Sequence, residues 1–535
     1  MGEGPGTARA KAPGRIAIPG WTQRSNAFGG RDPVGLQAWS QAAVAHLVPG
    51  MTSITKHLRY YSLHCWLISH CPPNATSQDQ QRRVRRAEVT IGLAALLGQP
   101  GATGISGEEA LSPVIPRIAA QPPNAEVDIR PHSDDPKSPG RYLKAEGGAF
   151  GSVYLPSERD MGLVEDFAAV SRADTRPCGA SLAAAYGKSL GQSASRHLIG
   201  AMETGKITPA GLRLLAQVAG LEFVPPGSEE ERLLRQCLAE PDRFHDAPIS
   251  VRDAAARRAQ SVRLLLTLAQ GGVPSNDPVK LREVLFRGSP APGAAPLNHP
   301  DLHRWRALFT NEHARIALEC LLNALADVAQ QQGAGIPPDN AVTSLIHSCL
   351  PTIGTNVTLS DWAASLDASA LNEDLGLASM GAAGGRRKPL RSPTRDECAA
   401  ALRSIAILWR QTPASGPVRL LLRSPVREGT SRRSAAAPLA DFDANSQMPA
   451  LQALVAVMRR HVVDRHLAIA ASKLVQTRNY TYQLQMTDGL LHDGEIAASG
   501  YTQTRLVTLS AYLRSVGLLG PDYRISSVGQ GYLEA

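Results

Sequence analysis

Four residues in one short segment are of the types that bind zinc. They are His64, Cys65, His70 and Cys71, and imidazole and thiolate are common zinc ligands in proteins. If the segment is one helix, only His64 and Cys71, seven residues apart, share a face. Four ligands therefore cannot converge from this segment alone, and we expect no metal site here.

Two glutamates have a spacing that could serve a general acid and base. Glu312 and Glu319 fall on one face of a long amphipathic helix predicted from Pro300 to Gln331, with His313 and Arg315 nearby. Carboxylates in such helices are more often solvated or salt-bridged. The sequence also has no GxSxG elbow, no Walker-type phosphate loop and no Rossmann fingerprint. We therefore assign no catalytic residue and no cofactor.

The composition predicts that helices position these side chains. Hydrophobic residues are 43% of the chain and aromatic residues only 5%, so the core must consist mainly of Leu, Ala and Val, which favours helical packing. The formal charge is +9, a mild basic excess. It suits a polyanionic partner, and a GC-rich coding genome that enriches Arg, Ala, Gly and Pro explains it equally well.

Cysteine usage and hydropathy indicate the compartment. The seven cysteines are scattered and include no CxxC pair, which favours reduced thiols. The amino-terminal segment lacks the apolar core of a signal peptide, and no run approaches the roughly 18 apolar residues of a membrane-spanning helix. We therefore expect a soluble cytoplasmic protein without membrane contact.

Shifts in composition divide the chain into segments. Stretches rich in Gly, Pro and Arg without apolar periodicity predict arms and linkers, whereas periodic stretches predict helical domains. The predicted segments are a flexible basic arm at 1–28, an N-terminal helical domain at 29–190, a central helical domain at 191–376, a basic linker at 377–395, and a C-terminal domain at 396–535 with a disordered loop at about 412–449.

Two arginine-containing stretches are candidates for contact with a polyanion. Residues 82–86 contain four arginines in the first half of a predicted helix, which would face solvent or a polyanion. Arg59, Tyr60 and Tyr61 place aromatic rings beside a cation, an arrangement that suits single-stranded bases. The alternative for this second stretch is core packing with one arginine reaching the surface.

The final residues have a recognisable order of elements. Thr502 begins a helix whose apolar face includes Leu506 and Leu513, and Gly517 ends it. A turn and a short strand ending at Ile525 follow, and another helix begins near Ser526. Upstream, alternation over Asn479–Met486 predicts a strand, and a short helix is predicted over Asp493–Ser499.

This order resembles the closing part of the winged helix-turn-helix family. The resemblance implies that the amino-terminal half of the second helix faces the major groove of DNA, with two arginines nearer to phosphate. Winged helices also serve as protein–protein modules, and an ordinary solvated helix face is a further interpretation. The predicted nucleic-acid-binding residues are Gln503, Thr504 and Arg505 for the groove, with Arg514 and Arg524 for phosphate.

A looser copy of the same pattern lies between Tyr154 and Tyr186. Gly162-Leu163-Val164 resembles the turn after the C-terminal helix, and Gly179 stands where a closing helix would begin. Arg176, however, occupies the position that is normally Ser or Thr. We therefore predict a mainly α fold, with a multi-helical body, a C-terminal winged-helix-like α+β module and a candidate second module near residues 150–190.

A second resemblance is to uncharacterised bacterial proteins, some of them from phage-defence-type gene neighbourhoods. It rests on residues 32–36, 47–52 and 59–61, with Trp66 and Trp305. It implies a bacterial defence role without naming an activity. We predict a non-enzymatic protein that binds nucleic acid, DNA rather than RNA, or acts as an adaptor or sensor with a partner protein. The alternatives are a nucleic-acid-processing enzyme with a dispersed active site and a structural scaffold of a multiprotein complex; the oligomeric state is left open.

Overall fold

The structure, a computed structural model, is mainly helical. It describes residues 23–24 and 32–534, except 53, 55–56, 73, 136–137, 166–168, 173–175, 223, 291–293, 354–355, 368–390, 425, 427–432, 494–495 and 497–498. The predicted arm at 1–28 lies outside the described residues apart from Gln23–Arg24. The predicted linker at 377–395 lies outside them as far as residue 390.

Helices far outnumber strands along the chain. The α-helices are α1 Gln37–Leu47, α2 Arg59–Ser69, α3 Ser77–Gly98, α4 Glu108–Leu111, α5 Ile115–Ala119, α6 Arg130–Ser133, α7 Leu155–Asp160, α8 Gly179–Thr204, α9 Pro209–Val218, α10 Glu229–Ala239, α11 Ile249–Gln270, α12 Pro278–Arg287, α13 Leu302–Gln332, α14 Pro338–Cys349, α15 Leu359–Ser365, α16 Arg395–Gln411, α17 Pro417–Arg423, α18 Ala436–Ala444, α19 Ala450–Met458, α20 Arg465–Thr477, α21 Leu506–Ser515 and α22 Ser527–Glu534. Short 3-10 turns occupy Ser112–Val114 and Pro241–Phe244, and π-helical turns occupy Phe150–Tyr154 and Arg459–Asp464. The strands are β1 Gln23–Arg24, β2 Val127–Asp128, β3 Lys206–Ile207, β4 Asn479–Tyr480, β5 Leu484–Thr487 and β6 Leu490–Asp493.

Many helices begin at a residue that suits a helix start. A Ser or Thr hydroxyl accepts a backbone N–H of the first turn, which satisfies a donor that has no partner within the helix. The capping residues are Thr76 for α3, Thr208 for α9, Ser228 for α10, Thr358 for α15 and Thr394 for α16.

The chain divides into two compact units, each built from separate stretches of sequence. Within the described residues, the first unit comprises 32–43, 285–288 and 302–502, and the second comprises 44–284, 289–301 and 503–534. The boundaries predicted near residues 190 and 396 do not coincide with these limits. Whether the predicted segments fold by themselves stays a prediction.

The first unit is built around α13. This 31-residue helix is buried around its whole circumference from Ala307 to Ala326, as expected for a helix that packs on every side. Helices α14, α16 and α17 pack against it, and so does the antiparallel hairpin of β5 and β6. The single strand predicted over Asn479–Met486 is divided in the structure: β4 pairs with β1, β5 pairs with β6, and residues 481–483 between them are not in a strand.

The second unit is built on α2, α3 and α8. Helix α2 packs along α8, α3 packs against α8 and α9, and α10 joins α8 to α11. Strands β2 and β3 form one short antiparallel ladder. Helix α11 also contacts α7, α21 and α22. No helix in the described part of the chain is long and apolar enough to cross a membrane.

Two local expectations differ from the structure. The described part of the stretch at 412–449 contains α17 and α18, and the buried Arg419 of α17 donates to Asp443 of α18 at 2.9 Å and to the carbonyl of Thr412 at 2.7 Å. These contacts cannot be predicted from a local composition rich in Ser, Pro and Arg. The helix predicted over Asp493–Ser499 is wrong at its start, because Asp493 closes β6 opposite Leu484.

Candidate functional site

The C-terminal glycine–hairpin motif runs from α21 to α22. Gly517 follows α21 with a φ of +74°, and a β-bridge between Leu519 and Ile525 closes a short hairpin. The hydroxyl of Ser526 donates to the carbonyl of Gly517 at 2.6 Å and accepts the amide N–H of Gly529 at 3.0 Å. Helix, turn, hairpin and helix therefore follow in the predicted order.

The predicted contact residues of this motif differ in their exposure. Because α21 begins at Leu506, the first three precede the helix instead of forming its amino-terminal half. Gln503 is exposed and Thr504 is half-buried. The full set is Gln503, Thr504, Arg505, Arg514 and Arg524.

Arg505 is directed into its own unit. Its backbone is left-handed, with a φ of +62°, and its Nη1 donates to the carbonyl of Val48 at 3.4 Å. Burial lowers the pKa of this guanidinium. Arg505 is therefore half-buried, with its guanidinium directed towards Val48.

Arg514, at the end of α21, and Arg524, in the hairpin, are both exposed. The Arg514 guanidinium lies over the ring of Tyr523, 4.9 Å from its centroid. Arg524 is 85% exposed and pairs with Asp522 at 3.5 Å. Both cations belong to the exposed polar surface of the C-terminal motif, and the carboxylate of Asp522 is exposed beside Arg524.

Helix α21 itself offers little surface. Within this fully described helix Arg514 is exposed, Val507 and Ser515 are half-buried, and the remaining side chains are buried. A recognition helix that enters the major groove needs an exposed face. In this conformation α21 has none.

The same motif occurs a second time in the second unit. The upstream glycine–hairpin motif runs from α7 to α8, and Gly162, with a φ of +69°, corresponds to Gly517. A bridge between Val164 and Val170 closes its hairpin. Five backbone amides of each motif donate to carbonyls at the same separation along the chain. The upstream amides are those of Met161, Gly162, Leu163, Glu165 and Ser171, and their counterparts in the C-terminal motif are those of Val516, Gly517, Leu518, Gly520 and Ser526, in this order.

The serine anchor is also repeated, but not where the sequence pattern placed it. The hydroxyl of Ser171 donates to the carbonyl of Gly162 at 2.6 Å and accepts the amide N–H of Gly179 at 2.9 Å. The expectation that Arg176 stands at this position is therefore wrong. The glycine that the serine bonds in the closing helix is eight residues after Ser171 but only three residues after Ser526. Because of this difference in spacing, the sequence pattern did not identify Ser171 as the anchor.

The two motifs differ at one core position, and this difference creates a buried polar network. Where the C-terminal motif has the buried Leu513, the upstream motif has Glu158, which is also fully buried. Glu158 accepts from Nδ1 of His64 at 2.7 Å, and Glu88 accepts from Nε2 of the same ring at 3.0 Å. Glu88 also accepts the hydroxyl of Tyr142.

Charge in this network is shared between the ring and its two carboxyl groups. Burial opposes protonation of His64, but Glu158 and Glu88 outweigh it and raise the pKa of the imidazole to about 9. Burial raises the pKa of Glu158 to about 7, although His64 acts to lower it. All three side chains are buried, so a substrate cannot reach them in this conformation. The sequence pattern did not indicate Glu88, Glu158 and Tyr142 as one cluster, because they are far apart in the chain.

The segment 47–50 is bonded to α2, to α11 and to Arg505, the residue before α21. Its successive carbonyls accept from Ser261, Arg505, Arg258 and Tyr61. The ring of Tyr61 also meets Tyr154 and Tyr512 edge-on, with centroids 5.8 and 5.9 Å away. Tyr60 and Tyr61 are therefore core residues, not a stacking surface for bases.

Arg59 is likewise part of the core. Its Nε donates to Glu230 at 3.0 Å, its Nη1 donates to the carbonyls of Val218 and Gly220, and its guanidinium lies over the ring of Tyr186. The same side chain lines an open cavity of about 680 Å³ between α3, α8 and α9. Because Arg59 is already paired with Glu230, it does not offer an unpaired positive charge to a ligand in this cavity.

Glu312 and Glu319 are held by one arginine. Arg315 lies between them and donates to each at 2.9 Å, and all three are buried. Burial acts to raise the pKa of Glu312, but Arg315 outweighs this effect and lowers the pKa. Thr502 also donates to Glu312 through its amide and hydroxyl. The pair is therefore salt-bridged, as carboxylates in such helices often are.

The arginines at 82–86 are bonded within the protein. Arg82 and Arg83 pair with Asp79. Arg86 pairs with Asp134 at 2.6 Å and donates to the last carbonyls of α8, which is a favourable position for a cation. Arg85 donates to the carbonyl of Ser133 at 2.7 Å. For the buried Arg85 and Arg86 the expected polyanion-facing surface is wrong.

In the part of the chain that the structure describes, no group of three His, Cys, Asp or Glu side chains is arranged to hold a metal ion. His64 pairs with carboxylates, and His70 stacks on Trp66, with ring centroids 4.0 Å apart.

No protein-family model matches the sequence, and neither a curated protein nor a solved structure shows significant similarity to the chain.

Proposed function

We propose that this chain is a non-enzymatic nucleic-acid-binding protein that contacts the sugar-phosphate backbone through its C-terminal winged-helix-like motif. The contact surface is the hairpin 518–526 with Arg514, Arg524 and Gln503. DNA is the preferred partner over RNA in this proposal, and a role in bacterial anti-phage defence is part of it through the resemblance of the sequence.

The observation that carries the proposal is the contrast between exposed cations and a buried helix. Arg514, at the end of α21, and Arg524, in the hairpin, are exposed, whereas the rest of α21 is buried or half-buried. Arginine binds phosphate oxygens well, and phosphate contacts fix a protein on nucleic acid without reading sequence. The proposal is therefore backbone contact by the hairpin, without base recognition by α21.

The buried carboxylates favour a binding protein over the alternative of a processing enzyme. Arg315 pairs with both Glu312 and Glu319, and His64 pairs with both Glu158 and Glu88. All four are buried. Nuclease chemistry needs carboxylates or metal ions that reach the phosphodiester, and these four are engaged elsewhere.

The test is a salt titration of DNA and RNA binding by the full-length protein. The logarithm of the binding constant should fall linearly with the logarithm of salt concentration, with a slope of about −0.9 for each phosphate neutralised on duplex DNA. Arg524→Ala should weaken binding and make this slope shallower by about 0.9. The double variant Arg514→Ala/Arg524→Ala should lose more of both.

Arg243→Ala is the matched control. Arg243 is also an exposed arginine of the second unit and pairs with a neighbouring carboxylate, Glu240, at 3.2 Å. If Arg243→Ala weakens binding as much as Arg524→Ala, binding depends on the overall positive charge of the protein and not on the hairpin. If the wild-type protein binds no nucleic acid at low salt, the scaffold or adaptor function is favoured instead.

A further inference from the structure

An open cavity adjoins the C-terminal motif within the second unit. It has a volume of about 500 Å³ and lies between the hairpin 518–526 and the segment 222–231, which includes the start of α10. Sites that hold small ligands have volumes of roughly 300–1,000 Å³. Arg514 lines this cavity, so a ligand inside it lies beside the backbone contact proposed above.

The walls of the cavity suit a flat ring. Val224 and Leu519 are buried side chains of the wall, and Pro226 and Pro521 are exposed side chains of the same wall. Apolar walls with a few polar groups that fix orientation are typical of small-molecule sites. A nucleobase buries two apolar faces and presents its polar groups at its edge, which matches such walls.

One charged group of the cavity is a cation. The Arg514 guanidinium lies over the ring of Tyr523, with 4.9 Å to its centroid. It forms no salt bridge with any residue that the structure describes. An arginine held against an aromatic ring keeps its N–H groups at the edge, where they can bind phosphate oxygens.

The other group is a carboxylate held in one orientation. Glu231 accepts the amide N–H of Gly227 through Oε2 at 2.6 Å. Its Oε1 lies at the wall formed by Gly517, where a Cβ atom would be only 3.1 Å away. Within the described ranges, Oε1 has no hydrogen-bond partner. The cavity therefore offers a fixed acceptor that a ligand with an N–H group can use.

We propose that this cavity holds one unstacked nucleotide of a single DNA strand and prefers a base with an amino group over thymine. Arg514 contacts the phosphate, and Oε1 of Glu231 accepts an N–H of the amino group. The inference rests on the proposed function and adds a base preference to it, because backbone contact alone reads no sequence.

Cytosine and thymine are the sharpest comparison, because their rings have the same size. Cytosine carries an amino donor at the position where thymine carries a carbonyl acceptor. A carboxylate only accepts hydrogen bonds, so it bonds the cytosine amino group and repels the thymine oxygen. One hydrogen bond to a charged group should favour cytosine by about tenfold.

Glu231→Gln should invert this preference. An amide has one acceptor oxygen and one donor NH₂ group. The N–H of Gly227 needs an acceptor, so the amide oxygen replaces Oε2 and the NH₂ group replaces Oε1. The cavity then offers a donor, which suits the carbonyl of thymine. A merely structural role of Glu231 would not change which base is preferred.

Glu229→Gln is the matched control. Glu229 lies two residues earlier on α10, is exposed and pairs with Arg232 at 2.5 Å. It does not line the cavity. This substitution changes the charge of α10 as Glu231→Gln does, but it should leave the base preference unchanged.

The experiment measures fluorescence anisotropy of labelled oligo(dC) and oligo(dT) of equal length with the full-length protein at one low salt concentration. We expect the wild-type protein to prefer oligo(dC) by about tenfold. Glu231→Gln should abolish or reverse the preference, and Glu229→Gln should retain it. Arg514→Ala should weaken the binding of both oligonucleotides and leave their ratio unchanged.

The outcomes separate this inference from the proposed function. Equal affinities with the expected salt dependence would overturn the inference and leave the proposed function standing. A preference for oligo(dC) that survives in Glu231→Gln would overturn it as well, and if this variant does not fold, the wild-type ratio decides. Free deoxycytidine monophosphate that binds as tightly as oligo(dC) would overturn the assignment to a strand. No binding of either oligonucleotide would contradict the proposed function, and the inference with it.

Discussion

Glu158 and Leu513 occupy equivalent positions in the two glycine–hairpin motifs but have opposite chemistry. Leu513 fills the core, as most residues there do, whereas Glu158 bonds His64 at 2.7 Å. A buried carboxylate beside a buried ring is costly unless charge and hydrogen bonds compensate. His64 supplies both, since it donates to Glu158 and Glu88 at the same time.

Replacing Glu158 with Gln should lower the pKa of His64. The amide oxygen can still accept from Nδ1, but the negative charge that opposes burial is lost, so the pKa should fall by about 1 to 3 pH units from about 9. Histidine NMR of selectively labelled protein measures this value. Glu165→Gln, at an exposed position of the same motif, is the control. An unchanged His64 pKa in Glu158→Gln would contradict the assigned cause.

At the scale of elements, the duplicated motif explains why two distant stretches fold alike. Both glycines adopt a left-handed backbone, and both closing helices approach the turn so closely that only glycine fits. A Cβ atom at Gly179 would lie 2.0 Å from the carbonyl oxygen of Leu163, and one at Gly529 would lie 2.2 Å from that of Leu518. The serine anchor holds each helix at this short distance.

Removing either serine anchor should destabilise the second unit by a similar amount. Ser171→Ala and Ser526→Ala each leave a carbonyl and an amide without their partner, which costs about 1–3 kcal/mol for a buried group. Chemical denaturation of the full-length protein measures this change.

Ser515→Ala is the control for the anchors. Ser515 belongs to the C-terminal motif but bonds only the carbonyl of Ala511, one turn earlier in its own helix, at 2.9 Å. Its removal should change the free energy of unfolding by less than about 0.5 kcal/mol. Equal effects of all three variants would show that the anchors have no special role.

At the scale of the whole molecule, the two units contain buried histidines of opposite character. In the first unit His466 donates through Nδ1 to the carbonyl of Pro33 and accepts the amide N–H of Gln483, so it is neutral. Burial lowers its pKa to about 4. In the second unit the pKa of His64 is raised to about 9.

These shifts predict that the units weaken at opposite ends of the pH range. Protonation favours the unfolded state for His466, so the first unit should lose stability as pH falls from about 6.5 to about 4. For His64 the folded state binds the proton more tightly. Its contribution is complete below about 6.5 and is lost as pH rises through about 9.

Pulse-labelled hydrogen exchange after incubation at each pH, with labelling at one fixed pH, would test this. Peptides around His466 should lose protection after acid incubation, and peptides around His64 after alkaline incubation. His64→Gln should remove the alkaline loss alone. The prediction is wrong if both sets of peptides lose protection together at each end.

The sequence by itself determined the helical class and the local order of elements. Alanine and leucine at helical spacing, capping residues such as Thr394, and the glycine at 517 act over a few residues, so they can be read directly. The salt-bridged character of Glu312 and Glu319 was also foreseeable, because Arg315 lies within one turn of both.

Only the tertiary structure decided which side chains meet. His64, Glu88 and Glu158 are far apart in the sequence, and packing between elements, not local spacing, brings them together. The serine of the upstream motif was missed for a related reason, since Ser171 is eight residues from Gly179. The exposure of a side chain likewise depends on packing. Packing directs Arg505 towards Val48 and leaves Arg514 and Arg524 at the surface.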